Sequence, residues 1–378
     1  MLLVEADGKT LFRTAGIAVP LGIEAHQGEA PALPGAGPWM VKAQVPAGGR
    51  GKAGGVVRCA DAGEARAALA RQLGLRIKGH AVESCLIEQT APGAERYLAL
   101  MLDPAAYAVR VLFAAEGGVD VEQEAAVASR QCPPELDAIT AAIAELTAAE
   151  PEAWRAALVT TGRRLARLML ESELMLAEIN PLFVGPDGCV AGDAKVVVDL
   201  NAIDRQPEIA ALLRARPGIY ADAVRKLDEG FDYVELDPDG EVGLVTTGAG
   251  LSMMLVDEMT ARGMKPLNFL DIRTGQLRGS PARLIRVLEW ISARPQVKVV
   301  LVNIFAGITD LGEFAGLLAD AVEQTPALRV PIVARLVGRG ATQARRVLAE
   351  RMPAITVEED LDTALAQVAR MTARGITA

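Results

Sequence analysis

The sequence is poor in aromatic residues, histidine and cysteine. Only 4% of its 378 residues are aromatic, and it contains two histidines and four cysteines. The cysteines are far apart and show no metal-binding or redox spacing, which argues against a disulfide framework or a zinc site. The core must therefore be built from Leu, Val, Ile and Ala, which the hydrophobic fraction of 51% supplies.

The sequence also lacks an excess of positive charge and a long apolar run. Its formal net charge is -9, which disfavours non-specific attraction to nucleic acid or to anionic lipid. The longest apolar run, residues 299–308, is interrupted by Asn303 and is too short to span a bilayer. Glu5, Asp7 and Lys9 replace the apolar core that a signal peptide would need. We therefore expect a cytoplasmic protein with no nucleic-acid or membrane partner.

The pattern of apolar residues divides the chain into two regions. From about residue 238 onward, Val/Ile/Leu runs alternate with helix-length segments, which is typical of a doubly wound parallel sheet with helices on both faces. Its strands are predicted at 242–246, 267–270, 297–304 and 330–336. The stretch 204–230, rich in Pro, Gly and charge, is the expected linker. We therefore predict an N-terminal region at 1–237 and an α/β domain at 238–378.

Three glycine-bearing loops follow strands of the predicted parallel sheet. They span residues 246–250, 271–275 and 303–308, and ligands of such sheets bind at the carboxyl ends of the strands. Any one of these glycines could serve only a tight turn between a strand and a helix. Three such loops at one edge favour an anion-binding site.

The main signal for nucleotide chemistry is the loop of residues 48–55. Five of its eight residues are glycine, which frees backbone N–H groups to turn toward a polyphosphate, while Arg50 and Lys52 add positive charge. Lys42, on the preceding predicted strand, can point into the same space. The loop does not fit the P-loop pattern. A flexible hairpin tip is the alternative, which the two cations disfavour.

A second cluster of candidate ligands belongs to a predicted hairpin. Alternation along the strand at 174–180 places Glu178 and Asn180 on one face. A turn at 186–188 then returns the chain and brings Asp193 near Asn180. An amide oxygen and a carboxylate are hard ligands that suit a Mg²⁺ ion shared with substrate phosphates. Turn capping by the same two side chains is the alternative.

In family order and across nearly the whole chain, the sequence resembles the beta subunits of succinyl-CoA synthetases. The matching segments are VKAQV at 41–45, AGGRGKAGG at 47–55, EGGV at 116–119, EINPL at 178–182, NA at 201–202, GAGL at 248–251, NFLD at 268–271 and LVNIFAGI at 301–308. The resemblance implies an ATP-grasp N-terminal region and a flavodoxin-like C-terminal CoA-ligase domain. It also implies an ADP-forming ligase for a small carboxylic acid, with ATP and CoA as substrates and Mg²⁺ as cofactor.

The resemblance further implies roles for individual residues. The candidate nucleotide ligands are Lys42, Gly49, Arg50, Gly51, Glu88 and Glu95. Within this set, Glu88 corresponds to the adenine hinge and Glu95 to a position near the ribose. Asn180 and Asp193 are the candidate metal ligands. Glu178 corresponds to the acidic residue that assists phosphoryl transfer to a histidine.

The implied mechanism needs a histidine that this chain does not offer at a suitable place. Phosphate passes from ATP to a histidine and then to the acid, and CoA attacks the resulting acyl phosphate. His26 and His80 lie outside the glycine loops and are expected at the surface. The resemblance therefore implies an alpha-type partner subunit that carries the phosphohistidine and most of the CoA contacts.

Departures from the family pattern concern the nucleotide loop and the acid. Pro46 replaces the usual His, Thr247 replaces the usual Asn, and residues 273–275 replace a run of glycines. The acid is succinate, malate or another anionic acid, and Arg273 binds either that acid or the partner. The alternative to a ligase is a non-catalytic structural or regulatory paralogue, which the joint retention of phosphate and metal candidates disfavours. The candidate acid-binding residues are Thr247, Arg273, Ala306, Gly307 and Ile308.

Overall fold

The computed structural model describes residues 1–117 and 127–374, which divide into two compact units, Met1–Ile219 and Tyr220–Ala378. The division falls inside the predicted linker and before residue 237, and the boundary at 237/238 stays a prediction. The linker stretch is not irregular, because the helices Pro207–Ala215 and Ala221–Glu229 occupy most of it. Pro207 stands at the first helical position, where a missing N–H costs nothing. Gly118 and Val119 of the motif at 116–119 lie outside the described residues.

The described part of the first unit is a mixture of strands and helices. The strands are β1 (Gly22–His26), β2 (Trp39–Ala43), β3 (Val56–Cys59), β4 (Arg76–Ile77), β5 (His80–Ala81), β6 (Ser84–Gln89), β7 (Ala94–Asp103), β8 (Ala108–Ala114), β9 (Ala128–Cys132), β10 (Leu174–Gly185), β11 (Gly188–Ala191) and β12 (Lys195–Val198). The helices are α1 (Glu5–Thr14), α2 (Ala62–Gln72), α3 (Leu136–Leu146), α4 (Glu152–Glu171) and α5 (Pro207–Ala215), with a 3-10 turn at Ile203–Arg205.

Two antiparallel sheets organise this unit. One has the strand order β1-β6-β2-β3, and the other has the order β11-β10-β7-β8-β9 with β12 also paired to β10. Asp61 caps helix α2, because its carboxylate accepts the N–H groups of Gly63 and Glu64. The helix buries Leu69 in the same core as Val41 of the first sheet. Because N-cap carboxylates satisfy otherwise unpaired amides, this helix has a fixed starting point.

An irregularity in β10 lies next to the predicted metal ligand. The register between β10 and β7 shifts between Ile179 and Leu182, so Asn180 and Pro181 fall inside the shift. Proline cannot donate to a sheet ladder, and bulges of this kind re-aim side chains beside functional sites. The EINP segment therefore breaks the ladder at the residue whose amide is a candidate ligand.

The described part of the second unit alternates strands and helices. The strands are β13 (Asp232–Glu235), β14 (Val242–Thr246), β15 (Asn268–Asp271), β16 (Val299–Ala306), β17 (Ile332–Gly338) and β18 (Thr356–Glu358). The helices are α6 (Ala221–Glu229), α7 (Ala249–Ala261), α8 (Ala282–Ser292), α9 (Leu311–Glu323), α10 (Ala341–Arg351) and α11 (Leu361–Arg374), with a 3-10 turn at Thr274–Gln276. Among the helices of the two described ranges, none is long and apolar enough to cross a membrane.

The predicted doubly wound domain is confirmed. Strands β14, β16, β17 and β18 pair in parallel in that order. Along β16, Val299 and Leu301 pack with α7 and α11, whereas Val300 and Val302 pack with α8, α9 and α10. Successive side chains of a strand point to opposite faces, so a continuous apolar run builds two cores, one on each side of the sheet.

The strand predicted at 267–270 is not a regular member of this parallel sheet. It forms as β15 and pairs antiparallel with β13. Backbone bonds link it to β14 only at its two ends, from the Leu267 N–H to the Val242 carbonyl (2.8 Å) and from the Ile272 N–H to the Thr246 carbonyl (3.1 Å). Between them, the Asn268 amide accepts from the Leu244 N–H (2.9 Å) and donates to the Leu244 carbonyl (3.0 Å). Both residues are buried, so the amide stands in for a missing piece of backbone ladder.

Candidate functional site

A cavity of about 880 Å³ in the first unit brings together the predicted nucleotide, metal and catalytic residues. Strands β2, β3 and β6 of one sheet and β7 and β10 of the other contribute to its wall. Its volume suits a small-molecule or cofactor ligand. The predicted residues that line it are Lys42, Gly49, Arg50, Gly51, Glu88, Glu95, Glu178, Asn180 and Asp193.

The glycine-rich loop joins β2 to β3 as the tip of a hairpin, and its arginine is anchored. Gly49 adopts a positive φ of 73°, which glycine tolerates without strain. The Arg50 guanidinium donates to the Ala43 carbonyl (3.1 Å) and pairs with Asp193 (2.9 Å). The loop is thus a hairpin tip, as in the alternative above, but its main cation is turned inward onto the cavity wall.

Lys42 reaches the same wall from β2. Its ammonium group lies 2.7 Å from a Glu5 oxygen and 3.0 Å from a Glu88 oxygen, and it donates to the Gly192 carbonyl (2.6 Å). A side chain at Gly192 would collide with the ring of Phe183, so the close approach of this carbonyl depends on glycine. The two cations predicted to bind phosphate are therefore both held by carboxylates in the cavity wall.

The charges of this wall perturb one another. Burial raises the pKa of Glu5, yet the surrounding cations, Lys42 foremost, hold it well below the ordinary value. Burial lowers the pKa of Lys42, but Glu5 and Glu88 raise it above the ordinary value. Burial likewise lowers the pKa of Arg50, and Asp193 and Glu5 together raise it. Opposite charges in a poorly solvated place stabilise each other's ionised forms.

Asn180 and Asp193 fit a magnesium ion that is completed by its substrate. In the part of the chain that the structure describes, no group of three or more His, Cys, Asp or Glu side chains could hold a metal by itself. The amide and the carboxylate offer hard oxygen ligands on one cavity wall, and Mg²⁺ commonly takes only one or two carboxylates plus phosphate oxygens. An arginine on Asp193 shows that this carboxylate already stabilises a cation.

The remaining cavity candidates differ in their surroundings. Glu178 lies 3.2 Å from the Lys195 ammonium of the neighbouring strand. Glu95 is exposed on β7 opposite Phe183. Glu88, predicted at the adenine hinge, is 1% exposed and its carboxylate is bound by Lys9 at 2.6 Å. Glu88 therefore joins the charged network of the wall.

Sequence reasoning missed two residues of α1, Glu5, which lines the cavity, and Lys9, which lies behind it. Their charges were considered only as an argument against a signal peptide. The i, i+4 spacing is the signal that could have found them, because it places both side chains on one helix face. They form an ion pair of 2.7 Å that is almost completely buried. His26 and His80, in contrast, are exposed and do not line the cavity.

In the second unit, a chain of hydroxyl groups connects the ends of three strands. Thr247 follows β14, Thr274 follows β15, and Thr309 follows β16. The Thr274 hydroxyl lies 3.4 Å from that of Thr247 and 2.9 Å from that of Thr309. Only Thr247 was predicted. The other two could not be recognised, because hydroxyl residues are common in turns and the contact is made across distant loops.

Arg273 lies beside this chain in a left-handed conformation, with φ of 54°. Its guanidinium pairs with Asp232 of β13 (2.9 Å), and its N–H donates to the Asp271 carboxylate (3.1 Å). The side chain remains about 40% exposed. The loop thus presents an arginine that is steadied by a carboxylate of its own unit but is still open to solvent.

Residues 306–308 are not at a helix N-terminus. Ala306 ends β16, Gly307 and Ile308 form a bend, and α9 begins at Leu311. The first turn of α9 is capped by Asp310, whose carboxylate accepts from the next amides. Ile308 is 94% exposed. A ligand at residues 306–308 would therefore contact the bend, because Asp310 already binds the first amides of α9.

Two family models match the chain, and together they cover most of it. The ATP-grasp domain model matches residues 2–184, and the CoA-ligase model matches residues 245–369. The subunit beta of an ADP-forming succinate–CoA ligase from Chloroflexus aurantiacus is 37% identical in an alignment of 349 positions that covers 87% of this chain and 88% of that protein. The same-named protein of Gemmatimonas aurantiaca is 34% identical in an alignment of 392 positions that covers 99% of both chains.

A solved structure shares the fold over the full length. ATP citrate lyase from Methanothrix soehngenii, determined with citrate and coenzyme A, superposes with a TM-score of 0.72 over 98% of this chain and 99% of that one. The sequence identity is 19%. The likeness therefore concerns the fold, an ATP-grasp domain followed by a CoA-ligase domain.

Proposed function

Because the chain belongs to the family of ADP-forming succinate–CoA ligase beta subunits, we propose that it is the nucleotide-binding subunit of an ADP-forming acid–CoA ligase. The supporting observation is that one cavity is lined by both phosphate-binding candidates, both metal candidates and the catalytic candidate. A purely structural paralogue would need none of this combination, and one that only binds nucleotide would not need the catalytic candidate. We place the enzyme in the cytoplasm.

In this proposal the first unit binds the nucleotide. Lys42, Arg50 and the amides of Gly49 and Gly51 hold the phosphates, and Glu95 lies on the ribose side. Glu88, which the resemblance assigns to the adenine hinge, instead acts here as a carboxylate partner of Lys42. Asn180 and Asp193 hold Mg²⁺, which neutralises the charge that develops on the phosphates. Positioning and charge stabilisation supply most of the catalysis in phosphoryl transfer.

The reaction needs a nucleophile from a second subunit. A histidine nitrogen attacks the terminal phosphorus of ATP, and the bond to the ADP oxygen breaks, with Glu178 steadying the histidine. A carboxylate oxygen of the acid then takes the phosphoryl group, and the CoA thiolate displaces phosphate from the acyl carbon. Since His26 and His80 are exposed and away from the cavity, we assign this histidine to an alpha-type, CoA-binding partner.

The second unit supplies the acid site. Thr247, Arg273 and the bend at 306–308 were predicted for it, and the hydroxyl chain adds Thr274 and Thr309. A guanidinium can hold a carboxylate or sulfonate through two parallel hydrogen bonds. We propose a small acid with a second anionic group, such as succinate or malate.

The division of labour can be tested with radiolabelled ATP. The full chain alone is expected to bind Mg-ATP but to retain no acid-labile phosphate and to form no acyl-CoA. Adding the partner should produce both products. The His26→Gln/His80→Gln variant is the matched control and should behave as the parent chain. Acid-labile phosphate on this chain alone, lost in the control variant, would overturn the assignment of the histidine to the partner.

A further inference from the structure

Lys9 is a fully buried lysine of α1 that faces the wall of the nucleotide cavity. Its side chain has 0% exposure. The ammonium group contacts Glu5 (2.7 Å) and Glu88 (2.6 Å) and donates to the Gly192 carbonyl (2.9 Å). All three of its partners are therefore also partners of Lys42.

Lys9 belongs to a set of buried and half-buried charges that we call the pocket ion network. Its members are the cations Lys9, Lys42 and Arg50 and the carboxylates Glu5, Glu88 and Asp193. The network contains as many positive as negative groups. The ammonium group of Lys42 already has three partners, so a phosphate oxygen must displace one of them. For the Arg50 guanidinium, the phosphates compete with Glu5 and Asp193.

Displacing carboxylates from these cations would leave two carboxylates in a poorly solvated place. Glu5 and Glu88 are each 1% exposed, and an uncompensated buried charge is strongly destabilising. Lys9 contacts both carboxylates from the side of α1 and is not among the residues that line the cavity. Its ion pairs can therefore persist while Lys42 and Arg50 turn to the phosphates.

We propose that Lys9 is a positioning residue of the nucleotide site, a standing counterion that frees Lys42 and Arg50 for the phosphates. It acts by contacting both Glu5 and Glu88, which offsets one of their two negative charges, and by keeping the Gly192 carbonyl in place when Lys42 leaves it. The proposal rests on the proposed assignment of Lys42 and Arg50 to the nucleotide. A merely structural lysine would stabilise α1 without favouring ligands according to their phosphate charge.

The two residues of the helix should have opposite effects. Without Lys9, Glu5 and Glu88 must rely on Lys42 and Arg50, so the phosphates compete against stronger ion pairs. Without Glu5, Lys42 and Arg50 lose a shared competitor and bind phosphate more readily. Removing both charges leaves two cations and two carboxylates, and the balance is restored.

The experiment measures binding of ATP and of AMP to the full chain by calorimetry, for the parent, Lys9→Met, Glu5→Gln and the double variant. The ratio of ATP to AMP affinity isolates the phosphate contribution. We expect this ratio to fall on the order of tenfold in Lys9→Met, to rise several-fold in Glu5→Gln and to return near the parent value in the double variant. Lys226→Met, which removes an ion-paired lysine of α6 in the second unit, is the control and should leave the ratio unchanged.

The outcomes separate this inference from the proposed function. If the parent chain binds no ATP, the nucleotide assignment fails and the inference fails with it. If the parent binds ATP but Lys9→Met changes ATP and AMP affinity equally, Lys9 has only a structural role. If Lys9→Met does not fold, the Glu5→Gln variant alone tests the proposal. A ratio of ATP to AMP affinity in Glu5→Gln that is equal to or lower than that of the parent overturns the proposal.

Discussion

The two units are both proposed to bind anions, but their candidate sites are built from different kinds of side chain. The wall of the first cavity is built from full charges, and each cation of the pocket ion network is paired with a carboxylate. The carboxyl edge of the second unit is built mainly from neutral hydroxyls, with Arg273 beside them. The first site is self-neutralised and buried, whereas the second is polar and open.

The difference teaches how each site can select its ligand. A neutralised charged wall favours a ligand with several charges, because only a polyphosphate with its metal can replace several carboxylates at once. A row of hydroxyls with one guanidinium recognises the shape of a ligand and the geometry of its hydrogen bonds. These groups leave few charges unpaired when the ligand dissociates. We therefore expect the affinity for nucleotides to depend more steeply on the number of charges of the ligand than the affinity for acids does.

The largest effect is expected for Asp193→Ala. The substitution removes a metal ligand and the carboxylate that holds Arg50, so turnover of Mg-nucleotide by the reconstituted complex should fall at least about 100-fold. Steady-state kinetics at saturating Mg²⁺ measure it. Asp187→Ala, an exposed carboxylate in the turn of the same hairpin, is the matched control. Unchanged kinetics for Asp193→Ala would remove this residue from the metal site.

The next largest effect concerns the stability of the second unit. Asn268→Ala leaves the N–H and carbonyl of Leu244 without partners in a buried place, which should cost about 2–4 kcal/mol in the free energy of unfolding. Denaturant unfolding measures this loss, and nucleotide binding by the first unit should be unaffected. Gln276→Ala, at an exposed position near the same edge, should be neutral. An equally stable Asn268→Ala variant would show that the backbone ladder closes without the amide.

A smaller effect is expected for acid recognition. Losing a charge-assisted hydrogen bond in Arg273→Gly should raise the KM for the acid roughly ten- to a hundredfold, while a glycine accepts the positive φ without strain. Thr274→Val breaks the hydroxyl chain and should raise it by about tenfold or less. Kinetics for acid, ATP and CoA in the reconstituted complex separate these effects. An unaltered acid profile with weakened subunit association would instead assign Arg273 to the interface.

The smallest effect is a dependence of stability on acid pH. Burial raises the pKa of Glu24, but hydrogen bonds from Arg216 and Ser84 lower it below the ordinary value. The ionised Glu24 carboxylate therefore contributes fully to the free energy of unfolding above its pKa in the unfolded chain, about 4.3. This contribution is lost as the pH falls through the lower pKa of the folded state. Glu24→Gln should cost under about 1 kcal/mol at pH 7, because the pair is partly exposed.

Unfolding measured between pH 7 and pH 3 tests this contribution. The difference in stability between the parent and Glu24→Gln should shrink toward the acid end. Glu152→Gln, an exposed carboxylate of α4, should show no such trend. A constant difference at every pH would mean that Glu24 contributes by packing and not by its charge.

Much of the fold could be predicted because its signals are local. Apolar runs followed by helix-length segments identified the doubly wound unit, and the glycine-rich segment 48–55 identified the turn between β2 and β3 that lines the cavity. The prediction for 267–270 found a strand that lies beside β14 through a parallel bridge and backbone bonds at its ends, but its regular ladder is antiparallel, with β13. In the middle of the segment Asn268 binds Leu244, which lies 24 residues earlier in the chain, and no local pattern reports such a contact.

The candidate sites show the same limit. By itself the sequence determined the glycine loop, the order of the motifs along the chain and the identity of the residues that carry charge, because composition and periodicity act over a few neighbouring residues. Only the tertiary structure decided that Lys9 and Glu5 of the first helix meet Glu88 and Arg50 in one wall. Burial makes those pairings strong, and burial depends on how distant elements pack together.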